Sequence, residues 1–310
     1  MTPNGDRVLV TGATGFIGGL LARRLLDDGF EVRCLVRNPE SKWARELAEL
    51  GCELAVADLT RPAGIAEALE GIRVAYFLVH MIGDDEDYPA IERAAAGRFA
   101  RLAREAGVER VIYLGGLGDE ETSKHLSARH ETARALSDEG PPLTYFRAAM
   151  VIGSGSESYE LLRGIVERMP VLPAPDWLHT KTQPIGAEDV VDYLRDAIDI
   201  PESAGREIEI GGPEVLTHLQ LVNEMARALG RKPPRLIPMS GEVARPETVA
   251  AGAGAVTSGD PVIASQISMG LTTPTVVDDP SGAELFDIRP DRVDAVLAEA
   301  IDTAAAAARG

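Results

Sequence analysis

The 310-residue sequence has no apolar run long enough to cross a bilayer. Runs such as Val74–Val79 fall far short of the roughly 20 residues that a spanning helix needs. The opening residues MTPNGDRVLV lack the basic and apolar regions of a secretory signal, so a cytoplasmic location without membrane insertion is expected. Positive charge is scarce: 31 Lys and Arg against 49 Asp and Glu leave a net charge of −18. That balance argues against a nucleic-acid backbone as the main partner. Lysine is rarest, with 4 residues beside 27 arginines, a bias ascribed to genome composition. Cysteine is nearly absent. Cys34 and Cys52 sit in apolar, strand-like stretches with neither metal-ligand spacing nor a Cys-x-x-Cys pair, so buried structural thiols and no metal site are expected.

What is present is an ordinary globular composition, 45% apolar and 26% charged. The first half alternates strand-like and helical patterns. Strands are expected at Arg7–Thr11, Glu31–Val36, Cys52–Ala57, Val74–Val79, Arg110–Gly115 and Leu143–Arg147. Helices are expected at Phe16–Asp28, Ser41–Leu50, Pro62–Glu70, Asp87–Ala106 and Lys124–Glu139. Repeated strand–helix–strand units with right-handed crossovers imply an α/β fold with a doubly wound parallel sheet, the Rossmann arrangement. The second half is less regular and reads as a smaller C-terminal substrate lobe. The division is placed at 1–155 and 156–310, softly, because strands from both sides could join one sheet.

Between the first strand and the first helix runs VLVTGATGFIGG, Val8 to Gly19. Gly12 permits a tight turn, Gly15 lets backbone approach a pyrophosphate, and Gly18 lets the helix pack closely on the sheet. The helix opening at Phe16, Ile17 and Gly18 offers free N–H groups and a positive dipole end to phosphates.

Glycines at i, i+3 and i+6 make this stretch similar to the short-chain dehydrogenase/reductase superfamily, in its extended and atypical branches. The segments AYFLVHMIG, FARLAREAGVERVIYLGGLG, HLSARHE, RAAMVIGSGSESYELLRGIVERMP, TQPIGAEDVVDYL and EIGGPEVLTH further resemble an NmrA-like subgroup of the atypical branch, over about residues 6–240. Departures occur at Met81–Ile82 and in the Ala/Gly-rich stretch before residue 270. The resemblance implies a dinucleotide held by Gly12, Thr14, Gly15, Phe16, Ile17 and Gly18. It adds Asp58 and Leu59 after the third strand, Leu78, Val79 and His80 after the fourth, Leu114 and Gly115 on the fifth, His130, and Ala149 and Met150 after the sixth. NAD-preferring relatives carry an acid at the end of the second strand; here none precedes Arg37. A guanidinium there suits a ribose 2′-phosphate, so NADP(H) is favoured over NAD(H).

One absence bears directly on chemistry. A standard member of the superfamily uses Ser, Tyr and Lys, with Tyr-x-x-x-Lys on the helix after the fifth strand. None of the six tyrosines is followed four residues later by lysine. Leu126 falls where the tyrosine is expected, His130 where the lysine is expected, and Gly115–Gly116 where the serine is expected. His130 and His80 are therefore the candidate catalytic groups, since imidazole exchanges protons near neutral pH. Three functions remain open: an oxidoreductase passing hydride to a small organic acceptor, a non-catalytic nucleotide sensor or assembly protein, and a redox-neutral epimerase, lyase or cyclase. Fold cannot separate them.

Overall fold

The computed structural model describes residues 6–80, 87–118, 124–239 and 272–309, without the side chains of residues 124 and 125. Mostly apolar runs form β1 (Arg7–Thr11), β2 (Glu31–Val36), β4 (Val74–Phe77), β5 (Arg110–Gly116) and β6 (Leu143–Ala148) of a parallel sheet, which β3 (Glu53–Val56) and the alternating strand β11 (Glu207–Ile210) complete at its two edges, in the spatial order β11-β6-β5-β4-β1-β2-β3. Such runs are the pattern of strands covered on both faces. The order reverses between β1 and β4, which opens a crevice at the carboxyl ends of the strands, where ligands bind in sheets of this kind.

One face packs α1 (Phe16–Asp27), α2 (Lys42–Leu50) and α7 (Ala187–Asp196) over side chains such as Val8, Val10, Cys34, Tyr76 and Phe146. The other face carries α3 (Ile65–Leu69), α4 (Tyr88–Glu105) and α5 (Lys124–Glu139) over Leu9, Phe77, Tyr113 and Tyr145. A third cluster joins α6 (Glu157–Arg168), α8 (His218–Ala228) and the last helix, α9 (Val293–Ala307), through Tyr159, Leu221, Met225 and Leu297. Three two-stranded pairs complete the C-terminal half: β7 (Val151–Ile152) with β10 (Ile185–Gly186), β8 (Val171–Ala174) with β13 (Arg235–Pro238), and β9 (Lys181–Thr182) with β12 (Leu216–Thr217).

Local chemistry sets the helix ends. The Ser41 hydroxyl accepts the Ala44 N–H at 3.2 Å to cap α2. Thr217 and Gln220 form a reciprocal capping box on α8. Several boundaries differ from the sequence expectation. The third helix starts at Ile65 rather than Pro62, because Gly64 enters it in a left-handed conformation (φ +84°). The fourth strand stops at Phe77, two residues early, because the Leu78 N–H turns to the Thr11 hydroxyl at 3.2 Å. Cys52 lies just outside the third strand; both cysteines are buried free thiols.

Candidate functional site

The turn from β1 into α1 sits against the exit from β4. Gly12 takes φ +69°, and a Cβ there would lie 2.7 Å from the Leu78 carbonyl oxygen. A Cβ on Gly18 would lie 2.2 Å from the Gly12 carbonyl oxygen. Both glycines are therefore demanded by the chain's own backbone. Gly15 differs. Its backbone is extended (φ −85°, ψ 174°), and its Cβ would meet only the Gly12 oxygen, at 3.1 Å.

Gly15 is the N-cap of α1, where no side chain caps the helix and no acidic residue stands in the first turn. α2, α6 and α8 each have a hydroxyl cap. The first N–H groups of α1 are thus left for another acceptor, and the dipole favours an anion. Thr14 is exposed beside them. The Phe16 ring reaches across to the segment after β6, where a Cβ on Gly153 would touch it at 2.8 Å.

Along the same edge, Arg37 is exposed after β2 and its charge acts on Asp58. Asp58 Oδ1 accepts the Thr60 N–H at 2.9 Å and the Thr60 hydroxyl at 2.8 Å. These bonds, the backbone one first, hold the Asp58 carboxyl below the usual range, with Arg37 and Arg61 adding to the effect. Leu59 is buried, and its carbonyl accepts Arg98 at 2.9 Å. Leu78 and Val79 are half-buried and His80 is exposed. Glycine loop, Arg37 and Asp58 thus share one edge of the sheet, and their chemistry fits a phosphorylated dinucleotide.

At the far end of the edge, packing surrounds Gly115, Gly116 and Gly118. Leu126 is buried, and its methyl groups would lie 3.0 Å from a Cβ on Gly116 or Gly118. It fills the place where a tyrosine is expected. A Cβ on Gly115 would meet Cε2 and the hydroxyl of Tyr145 at 2.8 Å. Tyr145, on β6, stacks on Tyr113 and so leans over the end of β5. His130 stands edge-on to Tyr145, with ring centroids 6.2 Å apart, and its Nε2 lies 3.4 Å from the Gly118 carbonyl oxygen. Arg147 donates to the same oxygen at 2.6 Å and pairs with Glu207 at 2.8 Å and Glu209 at 3.2 Å. Burial pushes the Tyr145 phenol up, so it stays protonated across the neutral range.

Leu114 and Ala149 sit within the backbone framework here: Arg129 donates to the Leu114 carbonyl at 3.3 Å, and the Ala149 N–H donates to Ile210 at 3.1 Å. Met150 is half-buried, and its carbonyl accepts from Ile185. His130 and Gly115 both meet Tyr145, next to Leu114, whereas His80 is exposed after β4. Met81 and Ile82 lie outside the described residues, as does most of the Ala/Gly-rich stretch. Sequence reasoning did not include Tyr145. The available signal was the Gly115–Gly116 pair beside an aromatic strand, but its use requires the β5–β6 register, Gly115 opposite Arg147.

Among the described residues no group of His, Cys, Asp and Glu could hold a metal, and no helix is long and apolar enough to cross a membrane.

The profile of the NmrA-like family matches residues 4–241. A photosystem II assembly factor, Ycf39, of Trieres chinensis is 24% identical over 72% of this chain and 69% of its own length. A (4-alkanoyl-5-oxo-2,5-dihydrofuran-3-yl)methyl phosphate reductase of Streptomyces griseus subsp. griseus is 28% identical over 72% and 74%. Among solved structures, the NADPH complex of an NADPH-dependent quinone oxidoreductase from Escherichia coli superposes with a TM-score of 0.72 at 19% identity, covering 94% of this chain and 98% of that one.

Proposed function

Because the chain belongs to the NmrA-like family, we propose that it binds NADP(H) along the carboxyl edge of its sheet and passes hydride to a small organic acceptor. The observation that carries this reading is the bare N-terminus of α1. It has no side-chain cap and no acid in its first turn, and a Cβ on Gly15 would meet only the Gly12 carbonyl oxygen, at 3.1 Å. The first N–H groups of α1 bind the pyrophosphate. Arg37 takes the 2′-phosphate as a bidentate, charge-assisted partner, and Asp58 and Leu59 border the adenine.

NADPH would supply the hydride; the chain's residues hold and orient it and keep water from the reacting end. Leu78, Val79, Leu114, Gly115, Ala149 and Met150 line the nicotinamide end. With leucine in place of the usual acid, acceptors that need little protonation, such as quinones, imines or activated alkenes, suit the site better than simple ketones. His130, half-buried against Gly118 and Tyr145, is the group that exchanges a proton there, with His80 a second candidate. Reductases in the same family support this reading; so does a fold shared with an NADPH-dependent quinone oxidoreductase.

Purified protein should bind NADPH more tightly than NADH in calorimetry. It should also consume NADPH when offered quinones and α,β-unsaturated carbonyl compounds. No binding of either reduced dinucleotide would end the proposal. One observation favours a second reading, that of a nucleotide-responsive assembly or regulatory protein: Leu126 packs over Gly116 and Gly118 where a proton donor is expected. An assembly factor also stands among the relatives. Tight NADPH binding with no turnover on any acceptor, and a partner protein recovered with it, would decide for that reading.

A further inference from the structure

Beside the dinucleotide edge, on the face carrying α5, a groove of about 540 Å³ runs between that helix and the outer strands β6 and β11. Arg134, Arg147 and Arg206 contribute three guanidinium groups against two carboxylates, Glu207 in the lining and Glu209 behind it, both paired with Arg147, in a chain of net charge −18. His130, Ser137 and Tyr145 add polar groups from the two walls.

Two donors in the inner wall are incompletely satisfied. The Tyr145 hydroxyl is buried and meets no hydrogen-bond partner among the described residues, on a side chain only 4% exposed. Arg147 has its terminal nitrogens engaged by Glu207, Glu209 and the Gly118 carbonyl, but its Nε is buried without a partner. Arg206, half-buried, reaches the Ser281 hydroxyl at 3.4 Å. Unpaired buried donors are costly. Here they lie behind a cavity in which arginines outnumber carboxylates, an excess that favours anions.

We propose that this groove is a ligand site adjoining the nicotinamide end at His130, taking a small molecule that bears an oxyanion, a phosphate or a carboxylate. Arg206 and Arg134 bind the oxyanion from the outer rim, with His130 and Ser137 beside them, while Arg147 and Tyr145 form the donor-rich floor. The inference does not rest on dinucleotide binding.

Inorganic phosphate and malonate serve as probes, titrated into the full chain in a phosphate-free buffer at fixed ionic strength and followed by thermal unfolding and calorimetry. Both should raise Tm saturably, and the larger shift identifies the preferred oxyanion class. The doubly substituted Arg134→Glu, Arg206→Glu protein should lose about tenfold or more in affinity for both probes. The doubly substituted Arg227→Glu, Arg231→Glu protein, an equal charge change at two exposed positions at the end of α8, should not. Tyr145→Phe keeps the ring and should weaken binding by a few-fold with the fold intact. Absence of any saturable shift in the parent protein overturns the proposal, as does an undiminished shift in the double variant. A shift abolished by Gly15→Ala but kept by the double variant overturns it too, because the probe then occupies the glycine loop. That last outcome leaves the dinucleotide reading standing, whereas loss of NADPH binding alone would leave this site standing.

Discussion

Gly15 and Gly18 belong to one motif, yet substitution by alanine should affect them through different physics. At Gly18 the new Cβ would lie 2.2 Å from the Gly12 carbonyl oxygen and 2.7 Å from its carbon. Both are backbone atoms, so helix α1 would have to move off the sheet. Overpacking of this kind costs about 3 kcal/mol or more, lowering Tm by about 5 °C or more with or without ligand. At Gly15 the single close approach is 3.1 Å, and φ −85°, ψ 174° is ordinary backbone for alanine. A few tenths of an ångström of give would be offset by the roughly 0.4–1 kcal/mol gained from a stiffer unfolded chain. Gly15→Ala should therefore leave the unfolding midpoint of the free protein within about 3 °C of the parent. Its methyl would stand where a pyrophosphate approaches the first N–H groups of α1. Loss of one charge-assisted bond, about 1.5–3 kcal/mol, weakens NADPH binding about 10- to 100-fold. Thermal unfolding without ligand and calorimetry with NADPH together read both effects. A folded Gly15→Ala protein with parental NADPH affinity would refute the phosphate-cradle reasoning. A Gly18→Ala protein with unchanged Tm would refute the packing argument.

Other consequences can be measured independently. Arg37→Ala should reduce NADPH affinity about 10- to 100-fold and leave NADH affinity nearly unchanged, since only the 2′-phosphate loses its partner; equal losses for both would contradict the assignment. Gly115→Ala drives a methyl to 2.8 Å from the Tyr145 ring and should lower stability by about 1–3 kcal/mol in denaturant titrations, an unchanged midpoint speaking against the leaning ring. Asp189 on α7 accepts the Asp291 N–H at 3.2 Å, and burial raises its carboxyl to about 6. A folded pKa above the unfolded one means that the native state binds the extra proton, so this group's penalty is present at pH 7–8 and fades as pH falls through about 6 toward the unfolded value near 4. Asp189→Asn should thus stabilise at pH 8 by about 1 kcal/mol and flatten the dependence between pH 4 and 6; an unchanged pH profile would show that the carboxyl is not strained.

Periodicity and local chemistry made much of the architecture readable before the chain folds. The apolar runs of β1 to β6, the helices between them and the glycine spacing are all short-range signals. They depend on a residue and its neighbours within a few positions. The absence of Tyr-x-x-x-Lys is also a fact of the linear chain, and it alone narrows the chemistry. Where β4 stops was not readable, because the Leu78 N–H finds its partner in Thr11, 67 residues away. Nor was the arrival of β11 at the sheet edge beside β6, which brings Glu207 and Glu209 to Arg147. The distinction among three glycines that look alike in sequence came from what surrounds each Cβ position. So did the lean of Tyr145 over Gly115. These are long-range contacts set by register and packing, and composition carries no term for them. Local patterning therefore determined that this is a doubly wound sheet with a phosphate-ready turn. Tertiary packing decided which of the three glycines the backbone itself demands, that Leu126 packs over Gly116 and Gly118, and where an arginine-lined groove opens on an acidic protein.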